Sequence, residues 1–188
     1  SVVTILLVGI AVNAIAGVGI GAFQYLADDG QLRSMVFWMM GSFGRSTWTT
    51  LLPAIAIMAV CVLVLIRYAR PLDLLQLGEP EAEFLGVDVK RLKRGVILAS
   101  AAGVGAGVAL CGIIGFIGLV VPHLVRLSIG PSHKLLIPGS ALLGASLAIL
   151  ADLVSRTVII PAEIPVSLVT SALGAPFFLW LIARARPV

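Results

Sequence analysis

The chain has 188 residues, 60% of them hydrophobic and 12% charged, with a mean hydropathy of +1.12. Soluble domains do not reach these values, so soluble enzymes are excluded, and the net charge of +4 has to be explained by something other than a nucleic-acid stripe. Uncharged runs near the roughly 20 residues of a spanning helix, rather than alternating runs of about ten, make the class all-α and polytopic.

Residues 1 to 27 carry no charge, and Val2 to Leu26 is expected to be a first span. Its small residues Gly9, Ala16, Gly17 and Gly21 allow close helix packing, with Gly17-x-x-x-Gly21 as a small-residue contact pattern. Asn13 is a mid-membrane polar group, suited either to lining a pathway or to an interhelical hydrogen bond. Asp28, Asp29 and Gly30 end this span. Gln31 to Met40 then reads as a helix too short to cross, followed by an outside segment, GSFGRSTW, from Gly41 to Trp48. Trp38 and Trp48 fit an interfacial belt, and Arg33 and Arg45 count among the outside basic residues. Thr49 to Ile66 is the second span, with Pro53 in its first turns, where a missing N–H is tolerated. The start at Ser1, without an initiator Met and a few residues from an apolar run, is read as that of a fragment.

Arg67 to Arg94 is the long polar interruption, holding eleven of the twenty-two charged residues. Arg67, Arg70, Lys90, Arg91, Lys93 and Arg94 stand at its two ends beside hydrophobic runs, the mark of a cytoplasmic loop. Glycines and Pro80 divide it into two short helices, Leu72 to Leu77 closed by Gly78 and Pro80 to Leu85 closed by Gly86, after which Asp88 caps a third. Leu72, Leu74, Leu75, Leu77, Phe84 and Leu85 alternate with Asp73, Glu79, Glu81 and Glu83. Such a pattern suits docking into a groove of a soluble partner. The plainer reading is that the leucines rest on the membrane interface beneath the bundle, and pattern alone does not displace it.

Gly95 to Val125 is a run of 31 residues without formal charge. Both Arg94 and the tail arginines Arg184 and Arg186 belong inside, so the run has to cross twice: up to about Leu110, then down through Gly112, Gly115, Gly118, Pro122 and His123 to Arg126. Two full helices do not fit at 1.5 Å per residue, so Cys111 to Pro122 is expected to be a broken, re-entrant return buried within the bundle. Gly103-x-x-x-Gly107 and Gly144-x-x-x-Ala148 mark further small interfaces. Arg126 to Lys134 is an inside turn, and spans follow at about Leu136–Leu153 and Ile164–Ala183. That makes six crossings, with ten basic residues inside and three outside. Asp152 and Arg156, spaced i,i+4, read as a local ion pair.

Cys61 and Cys111 lie in apolar runs and read as small core residues, and no metal site is expected. No phosphate loop, zinc motif or nucleophile triad occurs, so no catalytic residue is assigned and ATP hydrolysis is not expected of this chain. An ion-coupled secondary transporter also uses broken helices, but it carries buried carboxylates for coupling, whereas here the acids sit at membrane edges or in loops.

GFIGLVVPHLVRL (Gly115–Leu127), LIPGSALLGASLAILADLVSR (Leu136–Arg156) and AEIPVSLVTSALGAPFFLWLI (Ala162–Ile182) resemble the FecCD family, the membrane subunits of bacterial ABC importers for ferric siderophores, haem and vitamin B12. RPLDLLQLGEPEAEFLGVDVKRLK resembles its cytoplasmic coupling loop and WMMGSFGRSTW its outside segment. The resemblance is collinear over the whole chain and covers the last six of about ten helices, implying one permease domain over residues 1–188, the carboxy-terminal portion of a multi-pass subunit of the bacterial inner membrane. It implies a second permease subunit, identical or paralogous, separate ABC ATPase subunits carrying ATP and Mg, and a periplasmic substrate-binding protein, with no nucleic acid. On this resemblance Leu74, Leu75, Leu77, Gly78, Glu79, Glu81, Glu83, Leu85 and Gly86 couple to the ATPase. Arg156 and Arg45 meet the binding protein, Asn13 and Gly17 line the pathway, and Gly115, Gly118, Pro122 and His123 form the re-entrant segment, with His123 structural. The implied action is alternating access driven by ATP, with a ferric siderophore as cargo on the strength of GSFGRSTW, and cobalamin or haem as the alternatives.

Overall fold

A computed structural model describes the chain except Ser1, Arg45, Pro161, Ala162 and residues 185–188, and except the side chains of Val2, Trp180, Leu181, Ile182 and Arg184. Among the described residues the fold is all-helical: α1 Val2–Leu26, α2 Asp29–Met39, α3 Trp48–Arg67, α4 Ala69–Leu75, α5 Glu79–Phe84, α6 Val89–Cys111, α7 Ile117–Ile129, α8 His133–Thr157 and α9 Val166–Arg184. Four of them, α1, α3, α6 and α8, are long and apolar enough to cross a membrane, and α7 and α9 are shorter apolar helices. The chain divides into two compact units, residues 1–39 and 40–188.

In the first unit, α1 has the expected bounds. Asp28 does not simply end it. Its carboxylate accepts the Gln31 N–H at 2.8 Å and its carbonyl accepts the Leu32 N–H, so it caps α2, and Asp29 and Gly30 are already helical. Gln24 Nε2 donates to Met39 Sδ at 3.6 Å, tying the end of α1 to the end of α2. Within this unit nothing lies within 4 Å of where a side chain would start at Gly17 or Gly21.

The second unit is built on two helix pairs. In the α3–α6 pair small residues let the backbones approach: a Cβ at Gly103 would lie 3.3 Å from the Cys61 Cβ. The α7–α8 pair holds the hydrophobic cluster Val121, Val125 and Leu136, with Ile117, Leu143 and Leu147 packed on it. A Cβ at Gly139 of α8 would stand 3.0 Å from Val125, so this glycine clears space for α7, while Gly144 faces Ile117 and Val121 at ordinary contact distance.

The run from 95 to 125 does turn back, and the break is shorter than the sequence suggests. α6 ends at Cys111, five residues follow without helix, and α7 starts at Ile117. At 13 residues α7 spans about 20 Å, less than a bilayer core. Gly115 lies in the break, whereas Gly118, Pro122 and His123 lie inside α7, so most of the expected broken return is regular helix. Pro122 removes the N–H that would bond to the Gly118 carbonyl, one hydrogen bond near the start of the helix. Gly112 (φ 72°) and Phe116 (φ 64°) supply the left-handed conformations that reverse the chain.

Candidate functional site: a handle, its seam and the opposite end

The two ends of the second unit differ in chemistry. One carries α4, α5 and the α7–α8 turn, together with Arg67, Arg70, Lys90, Arg91, Lys93, Arg94, Arg126 and Lys134. The other gathers residues 40–44, the break at 112–116, the end of α8 and the start of α9. There Ser42 N–H donates to the Cys111 carbonyl at 2.8 Å, Val166 N–H to the Gly41 carbonyl at 3.1 Å and Ile164 N–H to the Ser155 carbonyl at 3.0 Å. Gly41 (φ 75°) is confined by the Ile113 carbonyl, 2.9 Å from where a Cβ would stand, so this junction requires glycine.

The two short helices expected between Arg67 and Arg94 are present with shifted bounds. α4 starts three residues early, at Ala69, directly off Tyr68, whose ring fills the space over Gly95 of α6. α5 is N-capped by Gly78 (φ 125°), which therefore opens the second helix as well as following the first, and Gly86 (φ 86°) follows its end. Asp88 caps α6 as expected, accepting the Arg91 N–H at 3.0 Å.

The leucines divide into two groups. Leu74 and Leu75 are half-buried, whereas Leu77, Leu85 and Phe84 are exposed, Phe84 to 93%. Leu77, Pro80, Glu81, Phe84 and Leu85 line a shallow open hollow of about 470 Å³, and Glu79 and Glu83 are exposed on the same short helix. Ala82, wholly buried, is the inward side of α5. Glu79 accepts a hydrogen bond from Lys93 of α6, and that bond and the lysine charge hold its carboxyl below the ordinary range.

Asp73 does not belong to the outward acidic set. Its Oδ1 accepts the backbone N–H of His133 at 2.7 Å and lies 2.6 Å from the His133 Nδ1. Its Oδ2 accepts the Ser132 hydroxyl at 3.0 Å, and Gln76 Nε2 donates to the Pro131 carbonyl at 3.3 Å. Ser132 is the N-cap of α8 but makes no side-chain cap of its own, so Asp73 supplies the capping oxygen from another helix. Partial burial pushes the Asp73 carboxyl up, but the bonds from His133 and Ser132 outweigh it and leave it below its ordinary value. This four-residue seam was missed from sequence: the pairing spans about 60 positions, and the one hint was a Ser-His pair opening a helix.

At the opposite end Arg156 Nε donates to Asp152 Oδ2 at 2.9 Å, and its Nη1 stands 3.8 Å from Glu163 Oε1, so the expected i,i+4 pair is formed. Its Nη2 lies near Gly44. Arg45 lies outside the described residues. Asn13 and Gly17 lie on α1 in the other unit, so no common site with the handle is described for them. Among the described residues no group of three or more His, Cys, Asp or Glu is placed to hold a metal ion.

The model of the FecCD transport family matches residues 1–184. The chain belongs to the FecCD transport family. It is 53% identical over 183 residues to the hemin transport system permease protein HmuU of Yersinia pestis, covering 97% of this chain and 54% of that protein. It is 45% identical over 181 residues to the vitamin B12 import system permease protein BtuC of Vibrio cholerae, covering 96% and 54%. The chain thus spans about half the length of the curated relatives it matches. Among solved structures, a metal-chelate type ABC transporter in an inward-facing conformation superposes with a TM-score of 0.91 at 37% identity, over 98% of this chain and 60% of that one. This FecCD chain is an all-helical, polytopic membrane protein, as its composition required.

Proposed function

We propose that the chain is the greater part of the membrane-spanning core of an ATP-driven importer subunit, moving a metal chelate from periplasm to cytoplasm across a bacterial inner membrane. The observation that carries this reading is the handle. At the end of the bundle lined with Lys and Arg, a pair of short helices turns Leu77, Phe84 and Leu85 outward beside Glu79, Glu81 and Glu83. An exposed apolar patch rimmed by acids is a docking surface, and its basic flank belongs on the cytoplasmic side, where a separate ATPase subunit with ATP and Mg would sit.

In this reading two permease subunits enclose the pathway and rock between inward and outward openings as the ATPase subunits close on ATP. α1, with Asn13 and Gly17, lines the pathway. Arg156, held in place by Asp152, presents the rest of its guanidinium at the periplasmic end to an acid of the binding protein. For the cargo, similarity to permeases named for hemin and for vitamin B12 favours a metal-bound tetrapyrrole, haem before cobalamin, over the ferric siderophore that GSFGRSTW suggested. Uptake of labelled haem, cobalamin and a ferric hydroxamate by cells carrying the full transporter decides it: haem uptake lost on deletion supports the assignment, and loss confined to the hydroxamate overturns it. Glu79→Lys with Glu83→Lys is expected to lower uptake and stimulated ATP hydrolysis with membrane insertion intact, and unchanged uptake refutes the docking role.

A further inference from the structure

The handle is attached to the bundle in two ways. α5 is held to α6 across an exposed ion pair, Glu79 with Lys93. α4 is held to α8 through one carboxylate that takes a backbone N–H, a hydroxyl and an imidazole of Ser132 and His133, with Gln76 reaching the preceding carbonyl. Hydrogen bonds to an ionised acceptor are the strong class, and three on one partly buried carboxylate make a joint rather than a surface contact. α8 carries Leu136, three residues beyond His133, in the cluster with Val121 and Val125 of α7. A displacement of α4 therefore acts at the first turn of α8 and, through a close-packed core, on the broken return α7.

We infer that Asp73, with Ser132 and His133, is the positioning joint that makes α4 and the α7–α8 pair move as one body, so that motion of the handle reaches the re-entrant segment. This rests on the handle being the ATPase contact. It adds that the force enters through α4 and α8, rather than only along the covalent continuation of the handle into α3 and α6. Without Asp73 the handle still docks, but its motion is spent in the seam.

The test uses the full transporter in proteoliposomes, with spin labels at R70C on α4 and L142C on α8 in a background free of other cysteines, both native residues being exposed. Their separation is measured without nucleotide and after trapping with ATP and vanadate. In the otherwise native protein it is expected to stay fixed. In Asp73→Ala it is expected to change on trapping by more than about 2 Å, the size of a helix shift. Asp73→Asn, whose amide oxygen still accepts the His133 N–H, is expected to restore most of the native behaviour. Ser132→Ala with His133→Ala removes both side-chain partners while keeping Asp73 and the His133 backbone N–H, and is expected to loosen the pair less. It carries the test if Asp73→Ala does not assemble. A separation that changes on trapping in the native background, or one that stays fixed in both loosened variants, overturns the inference. Failure of the underlying docking reading shows separately, as no ATPase subunit co-purifying with the native chain.

Discussion

The outward face of α5 and the inward seam of α4 come from one stretch of uniform composition, leucines alternating with acids, yet the fold puts them to opposite uses. On α5 the carboxylates of Glu79, Glu81 and Glu83 are exposed around Phe84 and Leu85, leaving an apolar patch available to a partner. On α4 the carboxylate of Asp73 is spent entirely within the chain, and Leu74 and Leu75 are half-covered. An acid in a short amphipathic helix thus stays exposed or becomes a structural cap according to whether a helix N-terminus faces it.

The sharpest way to break this contrast is Phe84→Asp. A fully exposed aromatic at the centre of a docking patch is the kind of anchor whose loss costs about 2–4 kcal/mol of binding, some 30-fold to 1,000-fold in affinity. Co-purification of the ATPase subunit is expected to be lost while the melting temperature in detergent is unchanged, because the side chain is 93% exposed. Asp73→Ala is expected to do the reverse: the ATPase is retained, and about 1–3 kcal/mol of stability is lost with the hydrogen bonds to a charged acceptor. Equal loss of ATPase binding in both variants would erase the distinction.

Acid should separate the two regions next. The carboxyl of Asp73 is depressed in the folded chain, so its contribution is complete above the ordinary Asp value near 3.9 and falls away only as pH drops through the lower folded value. Protection of the His133 amide from hydrogen exchange, corrected for intrinsic rate, is expected to be flat from about pH 8 to pH 5 and to collapse only below about 4. Loss of protection between pH 7 and 5 would mean that the Asp73 carboxylate is not what holds that amide.

Much of this was legible in the sequence because membrane helices are specified locally. Val2–Leu26 could be read to the residue, since an uncharged run of spanning length has no other fate. The Asp88 cap, the Asp152–Arg156 pair and the turning back after Cys111 likewise depend on near neighbours or on charge parity. Reading failed where the deciding partner is distant. The broken return was drawn as far as Pro122 because proline and glycine density was read without the α8 surface, where Gly139 makes room for an ordinary helix. Asp73 was grouped with the glutamates because nothing within ten residues indicates Ser132 and His133. Phe84 was seen as apolar but left out of the docking residues, although the fold leaves it more exposed than Leu77 or Leu85.

The smallest expected effect is the most discriminating about what holds the handle in place. Glu79 pairs with Lys93 much as Asp73 pairs with His133, and both carboxyls are depressed, so a view from charge alone ranks the two pairs together. Geometry separates them: Glu79, itself exposed, has one flexible partner, and ordering two long side chains and screening by salt offset the attraction. Glu79→Gln should therefore leave the melting temperature unchanged at physiological salt, with any small difference vanishing as salt is raised. Its effect on transport, if Glu79 meets the ATPase, should then appear without a change in stability. A melting temperature lowered as far as in Asp73→Ala would show that α5 is fastened to α6 as firmly as α4 is to α8, and the force path would have to include both seams.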